Sequence, residues 1–152
     1  MPRYDLYRSV HKFIRREMFQ FGEKLGRTDF RNEEAVTGIT KSFDDLAFDL
    51  TMHARKEEKW FTPLFTSKGS AVCEHTEKDH SDQPDVLAAL QNLFKTALEL
   101  LGSKDVEVQI AQGNHIRSEY DMFLSHNLQH FHEEETVLMP ELWRLYDDAA
   151  LH

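Results

Sequence analysis

Apolar residues in this chain recur at alternating steps of three and four, the spacing that keeps one face of an α-helix buried. The first stripe is Tyr7, His11, Ile14, Met18, Phe21 and Leu25, with Pro2 and Asp5 suited to a first turn and Gly26 at the end. Asn32 can cap a second helix whose first turn carries Glu33 and Glu34. Its stripe runs Val36, Ile39, Phe43, Leu46, Leu50, His53, Glu57, Trp60 and Leu64. Pro63 predicts a kink or an end nearby, and Ser67-Lys68-Gly69-Ser70 reads as a loop. A third helix, starting between Glu74 and Ser81, shows His80, Gln83, Leu87, Leu90, Phe94, Ala97 and Leu101 on one face. This places Pro84 within its first turn or so, and Gly102-Ser103 closes it. Asp105 can cap a fourth helix, whose stripe passes Ile116, Tyr120 and Phe123, then His126 or Asn127, then His130, Glu134 and Val137. Gly113 weakens that helix without requiring a break. Pro140 kinks or ends it, and the segment from Glu141 to Leu151 reads as a short terminal helix.

No stretch sustains the period-two alternation of a half-buried strand. Four amphipathic helices joined by short links predict an all-α, antiparallel up-down-up-down four-helix bundle with a short C-terminal helix. Residues 1–152 are expected to form one domain, long enough to bury a core without disulfides.

Composition narrows the function. A net charge of −9, without a basic patch, argues against binding a phosphate backbone, so no nucleic-acid partner is expected. The single cysteine, Cys73, excludes an internal disulfide framework and a thiolate-rich zinc site, and its redox role depends on its exposure. The N-terminal stretch has charges every few residues and does not read as a signal peptide, and no apolar run reaches the ~20 residues of a membrane span. A cytoplasmic protein is the expectation.

The unusual feature is a repeat. His53 to Pro63 and His130 to Pro140 each place His first, Glu fifth and sixth, and Pro eleventh. The first and fifth positions lie one helical turn apart on the same face, so each copy aims an imidazole and a carboxylate in one direction. Singly, such a pair is most often a surface contact worth a few tenths of a kcal/mol, and a lone histidine on a buried stripe is most often core. Together, His11, His53, Glu57, His80, His130 and Glu134 occupy four apolar stripes, and an antiparallel bundle can gather them at one level. Two unpaired carboxylates in an oily core would cost several kcal/mol each, and no lysine or arginine lies on these stripes. Bound cations would compensate them. Imidazole and carboxylate without thiolate suit iron, manganese or zinc, whereas calcium and magnesium want more oxygen. Two six-coordinate ions have about twelve positions, of which four histidines and two bridging glutamates fill about eight. The rest are left for a bridging oxide or hydroxide and small ligands such as dioxygen, peroxide or nitric oxide.

The order His, His-x3-Glu, His, His-x3-Glu on four successive helices resembles the hemerythrin-like family, the HHE cation-binding domains, over essentially the whole chain. That resemblance implies a non-haem di-iron centre bridged by Glu57 and Glu134, with manganese or zinc as possible substitutes. Members of the family bind dioxygen, sense oxygen or iron, store iron, or help repair iron centres damaged by nitric oxide. One departure stands out. The invertebrate oxygen carriers have two third-helix histidines four residues apart and a fourth-helix aspartate five residues after its histidine. Here the positions four before and four after His80 are Thr76 and Pro84, and the carboxylate is Glu134. His75, about 140° around the helix from His80, and His126, one turn before His130, are the candidate extra ligands.

Fewer histidines leave both metals more open, which shifts the expectation from reversible oxygen carriage toward sensing, nitric oxide or peroxide chemistry, or iron handling. A binding or sensing protein is expected ahead of a turnover enzyme, with a di-iron oxidase or peroxidase as the alternative. A metal-independent interaction module is a third reading. A zinc hydrolase is a distant fourth, because the string from His132 to Thr136 lacks the second histidine of HExxH. Glu58 and Glu135 sit about 100° off the stripe and are expected in solvent or as hydrogen-bond acceptors for the histidines. His132 is expected in solvent, and His115 and His152 have no evident partner.

Overall fold

The computed structural model describes residues 3–151. Its long helices are α1 (Arg8–Arg27), α2 (Glu33–Trp60), α4 (Glu74–Leu100) and α5 (Val106–Glu133), with α3 (Thr62–Thr66) a single turn between α2 and α4. A π-helical turn, Glu134–Leu138, continues α5 into α6 (Met139–Leu145), and α7 (Asp148–Leu151) follows. The described residues contain no strand. Helix α1 packs on α2 and α5, and α4 packs on the same two, closing the up-down-up-down ring.

The caps follow the sequence. The Asn32 side chain accepts from the Ala35 N–H at 2.9 Å, and Asp105 accepts from the N–H groups of Glu107 and Val108. Asp5 lies ahead of α1 rather than in its first turn, accepting from the Tyr7 and Arg8 amides. Pro2 lies outside the described residues. The buried Gln109 donates to the carbonyls of Leu100 and Ser103, closing the end of α4 that sequence leaves to Gly102-Ser103.

Three expectations shift at prolines. Helix α2 stops at Trp60 and Pro63 opens α3, so Trp60 leaves the predicted stripe and is 61% exposed. Helix α4 starts at Glu74, so Pro84 sits in its interior and leaves the His80 carbonyl without its helical donor. Ahead of Pro140 the backbone widens to a π-turn, with the Met139 N–H bonded to the Glu134 carbonyl five residues back. The wider turn changes the phase. Val137, predicted inward, is exposed, while Leu138, Met139 and Leu142 are buried.

Two apolar clusters result. The larger runs the length of the bundle through Ile14, Phe21, Phe43, Leu90, Phe94, Ile116 and Tyr120. The smaller joins Tyr7, Phe65, Cys73, Leu138, Met139, Leu142 and Leu151 at the end where α1 and α4 begin and α2 and α5 finish. The polar constellation lies toward that end.

Candidate metal centre

Each of the six predicted residues takes its place from its stripe. His11 is one turn into α1, His53 and Glu57 lie in the last two turns of α2, and His80 lies near the start of α4. His130 closes α5 and Glu134 opens the π-turn. Antiparallel packing brings all six to one level, and all six are buried.

They form two groups that share both carboxylates. His11, His53, Glu57 and Glu134 make one, and Glu57, His80, His130 and Glu134 make the other, with one donor atom from each residue within 4.8 Å of the rest of its group. Glu57 Oε1 lies 3.2 Å from His53 Nε2 and 3.5 Å from His11 Nε2, while its Oε2 lies 3.2 Å from His80 Nε2. Glu134 mirrors this: Oε2 is 3.2 Å from His11 Nε2, and Oε1 is 3.2 Å from His130 Nε2 and 3.7 Å from His80 Nε2. The Nε2 atoms of His80 and His130 face each other at 3.1 Å.

These contacts are close but poorly aligned as hydrogen bonds. Both oxygens of Glu57, Oε2 of Glu134, and Nε2 of His11 and His53 are buried without a hydrogen-bond partner. Such orphaned buried atoms are costly, and native proteins rarely keep several together. Two ligands at right angles on one ion, each ~2.1 Å from it, sit ~3 Å apart. The donor separations therefore fit a pair of cations, and the set of four imidazoles and two carboxylates fits iron, manganese or zinc.

Charge is balanced by protons when no cation is bound. Burial opposes a cation at His11, but the Glu134 and Glu57 carboxylates outweigh it and raise the group to about 9. His130 is likewise raised to about 9, against burial, by Glu134 and Asp79. Burial holds His53 below its ordinary value, which favours the neutral, ligating form. Burial also opposes charge at Glu134, and the His11 and His130 contacts override it, keeping the carboxyl ionised. The Tyr7 hydroxyl is pushed up by burial and then by Glu134 and Glu57, so it stays protonated beside the centre.

A surrounding set of groups orients the imidazoles. His11 Nδ1 lies 2.9 Å from Glu135 Oε1, which also accepts from Arg15 at 2.6 Å. His130 Nδ1 lies 3.0 Å from Asp79 Oδ2, whose other oxygen is 3.4 Å from His126 Nε2. The Phe131 ring stacks on His11 at 4.3 Å and is covered in turn by Arg15. Carboxylates that accept from the far nitrogen of a ligating histidine fix its tautomer and raise its basicity.

Among the alternatives, Asn127 and not His126 faces inward: Asn127 is buried, whereas the His126 side chain is 62% exposed and pairs with Asp79. His75 is exposed and pairs with Glu133 at 2.7 Å, outside both groups. Glu135 is the expected acceptor, whereas its counterpart Glu58 is exposed. His132 is exposed, His115 is on the surface 3.9 Å from Glu119, and His152 is outside the described residues. Cys73 is buried and burial pushes its thiol up, so it is not poised as a thiolate. Sequence reasoning missed Asp79, Arg15 and Phe131. Each stands next to or four residues from a stripe histidine, the only signal that could have found them.

A cavity of about 460 Å³ opens between α4 and α5 against His80 and His130. Among the described residues no helix is long and apolar enough to cross a membrane.

The sequence profile of the Hemerythrin HHE cation binding domain matches residues 3–142. F-box/LRR-repeat protein 5 of Xenopus laevis is 25% identical over 145 residues, covering 93% of this chain and 20% of that protein. The Salmo salar protein of the same name is 23% identical over 142 residues, covering 93% and 19%. The chain thus spans about one fifth of the length of these relatives. With a bundle fold, two buried His/Glu groups that can hold cations, and a profile match across nearly its whole length, the chain belongs to the hemerythrin HHE cation-binding domain family.

Proposed function

We propose that this chain is a non-haem di-iron binding protein that takes up dioxygen or nitric oxide, or handles iron, at this centre. In this reading Glu57 and Glu134 bridge two ions, His11 and His53 serve one, and His80 and His130 serve the other. The observation that carries the reading is Glu57. Both of its oxygens are buried without a donor, yet three imidazole Nε2 atoms lie within 3.5 Å of them. A carboxylate so placed has lone pairs that two ions would satisfy and that the protein itself does not.

Bound iron would supply open coordination positions and exchangeable electrons to a small ligand. The protein's own contribution is orientation and exclusion. Glu135 and Asp79 hold two of the imidazoles from behind, and Tyr7, Phe131 and the end cluster keep bulk water from the His11 side. The neutral Tyr7 hydroxyl adds no charge to a site already carrying two carboxylates.

The test is optical. Iron-loaded protein, reduced and kept anaerobic, is expected to change its near-ultraviolet and visible absorption on adding nitric oxide, and again on admitting dioxygen. His53→Ala and Glu134→Ala are expected to remove the response. A spectrum indifferent to both gases would contradict the reading. A second reading, an oxidase or peroxidase using the same centre, is favoured by the cavity beside His80 and His130; steady turnover of an organic co-substrate would select it.

A further inference from the structure

Helix α1 differs in charge from the rest of the bundle. It carries six lysines and arginines against two glutamates. Helices α2, α4 and α5 each hold more carboxylates than lysines and arginines, in a chain of net charge −9. The apolar stripe of α1 packs against α2 and α5, which leaves the opposite side of the helix facing solvent. On that side helical spacing sets Arg8, Lys12 and Arg16 in one row, each a turn from the next, and all three are exposed. Phe13 and Phe19 stand three residues before and after Arg16, one on each flank of the row, and each is 53% exposed.

The row is poorly neutralised by the protein itself. Arg8 reaches Asp5 at 3.7 Å, but among the described residues the Lys12 and Arg16 side chains have no ion-pair or hydrogen-bond partner. Arg15, on the same stretch, is turned to Glu135 instead. The surroundings limit what can lie on this face. From Arg8 to Phe19 it spans ~16 Å and is one helix wide. On the α2 side it is bordered by Glu17, Asp45 and Asp49, which line a small pocket between the two helices. A bilayer or a nucleic acid is broader than one helix and would bring its phosphates over those carboxylates. A single peptide segment fits the row alone, and ordinary salt screens it from acidic groups beyond about 8 Å.

We infer that the outward face of α1 docks an acidic segment of a partner protein. Its carboxylates meet Arg8, Lys12 and Arg16, and its apolar side chains lie on Phe13 and Phe19. Aspartate and glutamate supply the charge that the row lacks. The two rings supply apolar contact, which selects acidic segments that also carry leucine or phenylalanine over purely acidic ones. The surface does not depend on the metal reading, although the same helix carries His11 on its opposite side.

The probe is a short synthetic peptide of repeating Asp-Glu-Leu-Phe. In one control serine replaces leucine and phenylalanine, and in a second lysine replaces both acids. Amide NMR of the full chain during titration is expected to show saturable shifts at Lys12, Phe13, Arg16 and Phe19, with either control at least ~10-fold weaker. Arg16→Glu and Phe19→Ser, both at exposed positions, are each expected to weaken the probe at least ~10-fold with the melting temperature nearly unchanged. Absence of saturable shifts by ~1 mM peptide, shifts centred elsewhere, or equal binding by a control or to either variant would overturn the inference. So would tighter, Arg16-dependent attachment to phosphatidylserine vesicles, or a dimer of the protein alone that Arg16→Glu breaks.

Discussion

At the residue scale, two fillings satisfy the charges of the centre: protons on His11 and His130, or metal ions. They differ in what they predict for Glu57. Glu57 pairs with the protonated His11 when no metal is bound, so Glu57→Gln costs the metal-free protein about 3–5 kcal/mol under either reading. If Glu57 is a bridge, Glu57→Gln also abolishes the gain in melting temperature on adding iron or zinc, whereas a purely structural ion pair predicts no such gain in either protein. Thermal melts with and without metal separate the two. Glu135→Gln and Asp79→Asn are expected to weaken metal binding about 10- to 100-fold without unfolding the chain, measured by chelator competition. The same protons set a pH dependence. With His11 and His130 raised to about 9 in the metal-free protein, their stabilisation is fully present below their unfolded value and is lost as pH rises through about 9. Metal needs both imidazoles neutral, so its stabilisation runs the other way. The melting-temperature gain on metal addition is therefore expected to widen between about pH 6 and about pH 8.5. A gain that shrinks over that range would contradict the linkage.

At the element scale, the stripes were legible because burial in a bundle follows period directly: the seam of α1 and that of α2 up to Glu57 are buried as read. What sequence could not show was how the backbone accommodates its prolines. Pro140 is met by a π-turn that carries the helix onward and turns Val137 out and Leu138 in, a phase change no fixed period anticipates. Pro84 is taken into the interior of α4, which starts about a turn and a half before His80. Gly113, a weak point by propensity, has a steric reason. A Cβ there would lie 2.4 Å from the Phe30 ring, which also carries the Arg117 guanidinium on it. Gly113→Ala should therefore destabilise the protein by about 1–3 kcal/mol despite the better helix propensity of alanine, read from the urea midpoint. Stabilisation instead would mean that Phe30 yields freely.

For the whole molecule, the centre sits between two apolar clusters, one filling the shaft of the bundle and one capping its end. The six inward residues were readable because each replaces an apolar residue on a stripe and four stripes converge. The carboxylates behind the imidazoles were not, because their positions depend on how neighbouring helices meet. Everything functional rests on cations occupying this level of the bundle. The most direct test is the metal content of protein expressed in iron-supplemented medium, paired with its melting temperature before and after chelation. The expected result is about two iron atoms per chain and a clear loss of melting temperature when they are removed. Less than about half an atom per chain, with no gain on adding iron back, would contradict it.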